Sequence, residues 1–373
     1  MRRPLSNASF GSTFAQLLLI AAPCLYLACK SEVTTSDTEV EPTVPEQPGQ
    51  PPDLPPDPTV DGGATDDGGA TPESCAGNPL GAETIDGATL KVVGQGPFPD
   101  GPQWDDTGKQ LVYSEVNAQQ IARIGAEGGR TMIRWAGDGN LPIGNAIAGG
   151  YVFTAQAAMD GTGAILKTKL DGSEPQAFPT PGVNSPNDIV ASSKGFVYFT
   201  DPGFQAAVPA PTTGVYRMST EGGDVTVVEK FEAVGTNPGA RVDGIALSKD
   251  EKTLYVGIFD AKKIMKYTLD ENGAPAGAPA AIAFMPTDNP TGIAVDQAGN
   301  LWIAESAPDG AMRGRVEVVA DSGTKWGEIT FADSRPTGVA FGGDDGRSVY
   351  VTAERDLTAG SIYLATSACP GVK

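Results

Sequence analysis

Histidine is absent from all 373 residues. That excludes serine–histidine triads, histidine-ligated zinc and imidazole acid–base chemistry. Any catalysis falls to carboxylates, hydroxyls, lysines or a hard metal ion. Aromatic residues are scarce at 7%, whereas glycine (48) and proline (31) are plentiful. So many turn formers argue against a helical bundle and for short strands joined by tight turns. Cations are also few, with 26 Lys and Arg against 46 Asp and Glu, a net charge of −20. A surface this acidic repels nucleic acid and anionic lipid, so neither is an expected partner. Cysteine occurs four times. The apolar run Leu17–Cys29 is too short for a stable membrane anchor. The length itself is compatible with several domains or with one large β-propeller or barrel.

Three pieces follow one another along the chain. Arg2 and Arg3 precede the apolar run, which turns polar at Lys30, the pattern of a secretory signal over residues 1–29. Its end, Leu25-Tyr26-Leu27-Ala28-Cys29, resembles a bacterial lipobox, in which the cysteine is lipidated and becomes the mature N-terminus. An ordinary signal cleaved near Ala28 is the alternative. The expected location is a bacterial cell envelope, with Cys29 as the lipid anchor and only membrane contact, or otherwise secretion. Residues 30–74 hold 9 prolines and 11 acidic residues against one lysine, and repeat DGGAT at Asp61–Thr65 and Asp67–Thr71. Such a segment buries too little apolar surface to offset its ordering entropy, and reads as a disordered, extended tether. Cys75 and Cys369 bracket the remainder, residues 75–373. In an oxidising compartment two thiols at the ends of one domain are expected to form a disulfide.

From about residue 90 a unit recurs at intervals of 42 to 56 residues. Each copy has a polar turn, an alternating apolar strand, a second turn and a strand rich in Tyr, Val and Phe. The copies begin at Pro99-Asp100-Gly101, Gly144-Asn145-Ala146, Pro186-Asn187-Asp188, Val242-Asp243-Gly244, Pro290-Thr291-Gly292 and Pro336-Thr337-Gly338. Segments such as Gly214–Met218 and Lys263–Tyr267 are expected to supply the outer strands. A multi-stranded unit recurring every forty-odd residues predicts an all-β fold, a six-bladed β-propeller.

In a propeller the turn feeding each innermost strand opens on one face, so equivalent turn residues converge at the central channel. Here they read Asp100, Asn145, Asn187, Asp243, Thr291 and Thr337, and every side chain carries oxygen. Oxygen donors with two carboxylates suit a hard cation, calcium ahead of magnesium. Without a cation the two carboxylates repel, which raises at least one pKa. Taken singly, each residue is also a common turn former that bonds its own backbone. Asp100, Asn187 and Asp243 together favour the metal.

Ser185–Phe204 (SPNDIVASSKGFVYFTDPGF), Asp100–Trp104, Asp243–Val256, Gly292–Glu305 and Gly338–Ala353 together resemble the senescence marker protein/gluconolactonase family, which includes regucalcin. The resemblance spans roughly residues 93 to 365. It implies a propeller holding one divalent cation, usually calcium, that opens sugar lactones or related cyclic esters with water. Carried over, the metal ligands fall on Asp100, Asn187 and Asp243. Asn187 also orients substrate, with Asn145 and Thr291 beside it. The family's fifth-blade aspartate, ligand and base, falls on Thr291, whose neutral hydroxyl cannot act as a general base. Asp243 is then the candidate base, the carboxylate having moved one blade. Asp201 reads as a turn cap, and Glu115 and Glu305 as strand-end acids of the same kind. The loops 205–213 and 232–241 either cover the mouth or are surface insertions.

Two functions follow. One is a calcium-dependent lactonase acting as a monomer on a small lactone or ester. The other is a non-catalytic propeller that binds a ligand or partner through the same face, which the Pro-Thr-Gly turns of blades five and six favour.

Overall fold

The computed structural model describes residue 75 and residues 77–125, 128–137, 139–158, 160–205, 212–232 and 239–372. The signal and its Cys29, the tether and the centres of both Pro/Gly/Ala-rich loops lie outside the described residues.

The chain begins with β1 (Thr84–Asp86) and β2 (Lys91–Gly96). Blade I holds β3 (Pro99–Asp105), β4 (Gln110–Glu115), β5 (Gln120–Gly125) and β6 (Arg130–Trp135). Blade II holds β7 (Asn140–Ala148), β8 (Tyr151–Ala158), β9 (Gly163–Lys169) and β10 (Gln176–Pro179). Blade III holds β11 (Ile189–Ser192), β12 (Phe196–Asp201), β13 (Thr212–Ser219) and β14 (Thr226–Glu232). Blade IV holds β15 (Val242–Leu247), β16 (Thr253–Ile258), β17 (Lys263–Thr268) and β18 (Ala280–Ala281). Blade V holds β19 (Asn289–Val295), β20 (Leu301–Ser306), β21 (Gly314–Val319) and β22 (Lys325–Phe331). Blade VI is β23 (Arg335–Gly342), β24 (Ser348–Asp356) and β25 (Ala359–Thr366). Together they form six antiparallel sheets, a six-bladed β-propeller as the repeat predicts. No α-helix occurs among the described residues. Gly214–Met218 and Lys263–Tyr267 are third strands; β14 and β18 lie outside them.

Each second strand is sandwiched between blades, so both of its faces are apolar and it reads as a continuous run rather than an alternating one. Trp302, Tyr113, Tyr198 and Phe153 are accordingly among the largest fully buried side chains. Trp302 of blade V meets Phe341 of blade VI edge to face, centroids 5.4 Å apart, a favoured aromatic geometry.

The ring closes by exchange of the termini. N-terminal β2 pairs antiparallel with C-terminal β25, completing blade VI, and β1 adds a parallel fifth strand to blade V beside β22. A Cys75–Cys369 disulfide, spanning 294 residues, joins the same two ends, as the cysteine positions predict.

The inner strands share one irregularity that builds the site. In five of the six, the pairing to the second strand shifts register at the turn residue: 100/103, 142/145, 242/245, 290/292 and 336/338. Such bulges re-aim a side chain and end regular pairing. In blade III the inner strand starts only at Ile189, just past Asn187-Asp188. Glycine follows four of the six turn residues, at 101, 244, 292 and 338, because neighbouring inner strands nearly touch there. A Cβ on Gly292 would stand 2.8 Å from the Gly338 Cα, and one on Gly101 2.3 Å from the Ile143 oxygen.

Candidate functional site

A cavity of about 170 Å³ runs down the propeller axis, with Asp100, Asn145, Asp188 and Thr337 in its wall near the bulged turns. Below them apolar Ile147, Leu247, Val295, Phe341 and the tail residue Val372 share the wall with polar Gln103, Ser248, Lys249 and Glu251, while Asn187, Asp243 and Thr291 are not part of this lining.

The six turn residues divide into two kinds. Three bind neighbouring blades together. Asn145 donates through Nδ2 to the Gly101 oxygen (2.9 Å) and to Ser114 Oγ (2.9 Å), while its Oδ1 accepts from Thr154 (2.7 Å). Thr291 Oγ1 lies 3.1 Å from the Ala304 oxygen and 3.0 Å from the Pro336 oxygen, linking blades V and VI. Thr337 Oγ1 lies 2.7 Å from the Pro99 oxygen, linking blades VI and I. The other three keep oxygen available. Asp243 is only 5% exposed, yet its carboxylate has no hydrogen-bond partner among the described residues. Asn187 is 8% exposed; its backbone bonds Thr200 and Gly144, but its side-chain amide bonds no described residue. Asp100 accepts the Gly101 N–H at 2.7 Å, and the Thr337 side chain acts on it as a further hydrogen-bonding neighbour.

Electrostatics draw Asp100 and Asp243 into one group with a residue that the repeat alone did not single out. Burial, then the charges of Asp100 and Asp188, holds the Asp243 carboxyl well above the usual carboxylate range, against the pull of Arg241. Asp100 is raised likewise by burial, against the Gly101 N–H, with Asp188 and Glu354 adding to the rise. Asp188 is pushed up to about 7 by burial, opposed by the N–H groups it accepts from Ile245 (3.0 Å) and Ile189 (2.9 Å). Burial is the main cause of all three shifts, and neighbouring carboxylates add to those of Asp100 and Asp243. Asp188 escaped the sequence reading because blade III has no glycine after its turn residue. Asn187 and Asp188 therefore compete for the one repeat position.

A second set recurs near the end of four of the six second strands, visible as SE, TD, AE and AE at Glu115, Asp201, Glu305 and Glu354. None is free. Glu115 is held by both Arg130 Nε (2.6 Å) and Nη2 (2.5 Å) and by the Tyr113 hydroxyl (3.1 Å). Asp201 accepts from the N–H of Asn184 (2.8 Å), Ser185 (3.1 Å) and Gly203 (2.8 Å), the cap expected of it. Glu305 accepts the Asp288 N–H at 2.7 Å, and Glu354 pairs with Arg335. They brace the turns that carry the central residues.

No group of three or more His, Cys, Asp or Glu side chains among the described residues closes into a metal cage. A cation here would be held by two carboxylates and an amide oxygen, Asp100, Asp243 and Asn187, with water or backbone completing the shell. The set fits a hard divalent ion: all donors are oxygen, and a buried, unpartnered carboxylate is costly unless a positive charge meets it.

A six-bladed propeller with bulged inner turns carrying oxygen side chains is the class of fold these residues build. The chain belongs to the SMP-30/Gluconolactonase/LRE-like region family, whose pattern matches residues 98–355. It is 27% identical over 287 residues to a gluconolactonase of Zymomonas mobilis, covering 69% of this chain and 76% of that one. The fold is similar to that of a Xanthomonas campestris gluconolactonase, with a TM-score of 0.61, 22% identity, 77% of this chain and 91% of that chain covered. It also resembles a calcium-binding regucalcin from Agrobacterium tumefaciens, TM-score 0.60, 16% identity, covering 78% and 99%.

Proposed function

We propose that the protein hydrolyses a lactone or related cyclic ester at the channel mouth, using one divalent cation, calcium first, held by Asp100, Asn187 and Asp243. The observation that carries this is the division of the six turn residues. Of the four that the family pattern aligns with ligands, Asp100, Asn187 and Asp243 keep oxygen available, and Thr291 alone is committed to backbone oxygens. Family membership and the named relatives support the reaction class.

When bound, the cation supplies a Lewis acid for the lactone carbonyl and neutralises the crowded carboxylates. The rest falls to the chain. Asn187 donates an amide N–H that orients the substrate. Asp243 accepts a proton from the attacking water as the water oxygen bonds to the carbonyl carbon. The bond to the ring oxygen then breaks, and the proton passes from Asp243 to the departing alkoxide, leaving a hydroxy acid. Thr291 has no part in proton transfer, because its one hydrogen is committed to backbone oxygens of blades V and VI. The export signal, Cys29 lipidation and tether would put this activity at the cell envelope.

The test is a lactone panel given to the full chain after chelation and again after calcium is restored. Calcium-dependent ring opening is the expected result. Calcium bound with no lactone opened overturns the enzyme reading in favour of a binding propeller.

A further inference from the structure

Beside the central residues, at the seam of blades III and IV, stands an aromatic and cationic cluster that the reaction above does not use. Phe204 and Phe259 meet edge to face with centroids 5.3 Å apart. The Arg241 guanidinium lies over both rings, 5.2 Å from Phe204 and 5.0 Å from Phe259. Arg241 is itself fixed by Asp260, whose two oxygens sit 3.0 and 2.9 Å from Nε. Both rings are half-buried, and neither packs into a core cluster among the described residues.

Backbone ties fix this cluster to the two available ligands. Arg241 precedes Asp243 by two residues on one extended segment, and its carbonyl accepts the Phe259 N–H at 2.8 Å. Phe204 precedes Gln205, whose side chain bonds Ser185 at the start of the turn that carries Asn187. The ties hold Phe204 next to the turn that carries Asn187 and Phe259 next to the segment that carries Asp243, and the Arg241 charge acts on the Asp243 carboxyl. Arg241 Nη1 has no acceptor among the described residues.

We propose that Phe204, Phe259 and Arg241 form a specificity wall, so that the substrate is a lactone carrying an apolar alkyl or aryl substituent rather than a bare polyol. This rests on the lactonase reading above. Two phenyl edges offer burial to hydrocarbon and no hydrogen bond to a hydroxyl, so a polyol laid there loses water partners without replacement. The guanidinium already covers one face of each ring, which removes that face from flat stacking by a sugar. The substituent lies on the rings while the free Nη1 edge of Arg241 is turned to the polar end of the substrate.

The experiment compares kcat/KM of the calcium-loaded full chain on δ-valerolactone, its 6-pentyl homologue and glucono-δ-lactone. The pentyl lactone is expected to exceed the unsubstituted one by about tenfold, the effect of burying roughly two methylenes. Phe259→Ala should collapse that ratio towards one, and Phe259→Leu, which keeps apolar area, should restore most of it. Preference for glucono-δ-lactone, or a ratio untouched by Phe259→Ala, overturns the wall while leaving the lactonase intact. If wild type opens no lactone, calorimetry with δ-valerolactam and its 6-pentyl derivative still decides. Tighter binding of the pentyl lactam, lost in Phe259→Ala, upholds the wall, and equal binding overturns it.

Discussion

Thr291 shows how one residue can occupy a catalytic position in the repeat and do something else. Its hydroxyl reaches the Ala304 and Pro336 oxygens and ties two blades at the bulge. Thr291→Val should therefore cost about 1–2 kcal/mol, the effect of leaving buried acceptors without a donor. Thr291→Ser should recover most of it, and chemical denaturation of the three proteins checks this. Thr291→Asp, although it restores the carboxylate common in the family, should be less stable than wild type, since an ionised carboxylate cannot donate and adds a charge to a crowded ring. At this scale the sequence was informative wherever a single residue type set the chemistry. Oxygen donors at Asp100, Asn187 and Asp243 were legible. The blade-linking use of Asn145 and Thr291 was not, because it depends on how closely the next blade approaches.

Among the elements, blade V carries a buried acid pair that sets a pH dependence. Glu305 is fully buried at the end of β20, and its Oε1 has no donor among the described residues. Burial first, then Glu317, pushes its carboxyl up to about 10. Burial acts on Glu317 as well, but hydrogen bonds from Glu305, Lys325 and Thr287 take it below its ordinary value. The pair is thus one protonated and one ionised carboxyl, with Glu305 as donor. Unfolded, Glu305 titrates near 4.5. Between that value and about 10 the folded chain keeps a proton that the unfolded chain has released. Stability from this group is therefore full below pH 4.5 and declines as pH rises through the window. Glu305→Gln, which keeps a donor and cannot ionise, should gain roughly 1–3 kcal/mol at pH 7 and show a flatter stability curve from pH 5 to 8. Equal slopes for variant and wild type would refute this. The repeat makes the strand-end acids visible as a column. Which of them holds a proton depends on Glu317 arriving from the next strand, and no periodicity reports that.

For the whole molecule, the period of the repeat was enough to specify the number of blades, because each unit buries its faces only against a neighbour. The closure was less legible. β2 and β1 are short and mostly exposed, and nothing in their own pattern marks them as strands of blades VI and V. They are strands because β25 and β22 offer them unpaired edges, a demand that exists only once the ring has formed. The Cys75–Cys369 bond fastens that closure. In the chain-entropy account a bridge over so long a loop contributes on the order of 5 kcal/mol. Reduction, or Cys369→Ser, should lower the unfolding midpoint strongly, and calorimetry with and without reductant measures it.

The account turns on Asp243, a buried carboxylate near Asp100 and Asp188 that accepts no hydrogen bond from the described residues. The most direct measurement is lactone turnover by Asp243→Asn with calcium affinity determined on the same sample. Asparagine preserves shape and an oxygen donor but cannot take a proton. The predicted result is calcium still bound, more weakly, with kcat reduced by about 100-fold or more, the scale of losing a general base. Turnover within a few-fold of wild type, with calcium bound, would contradict the account and move the base to another residue.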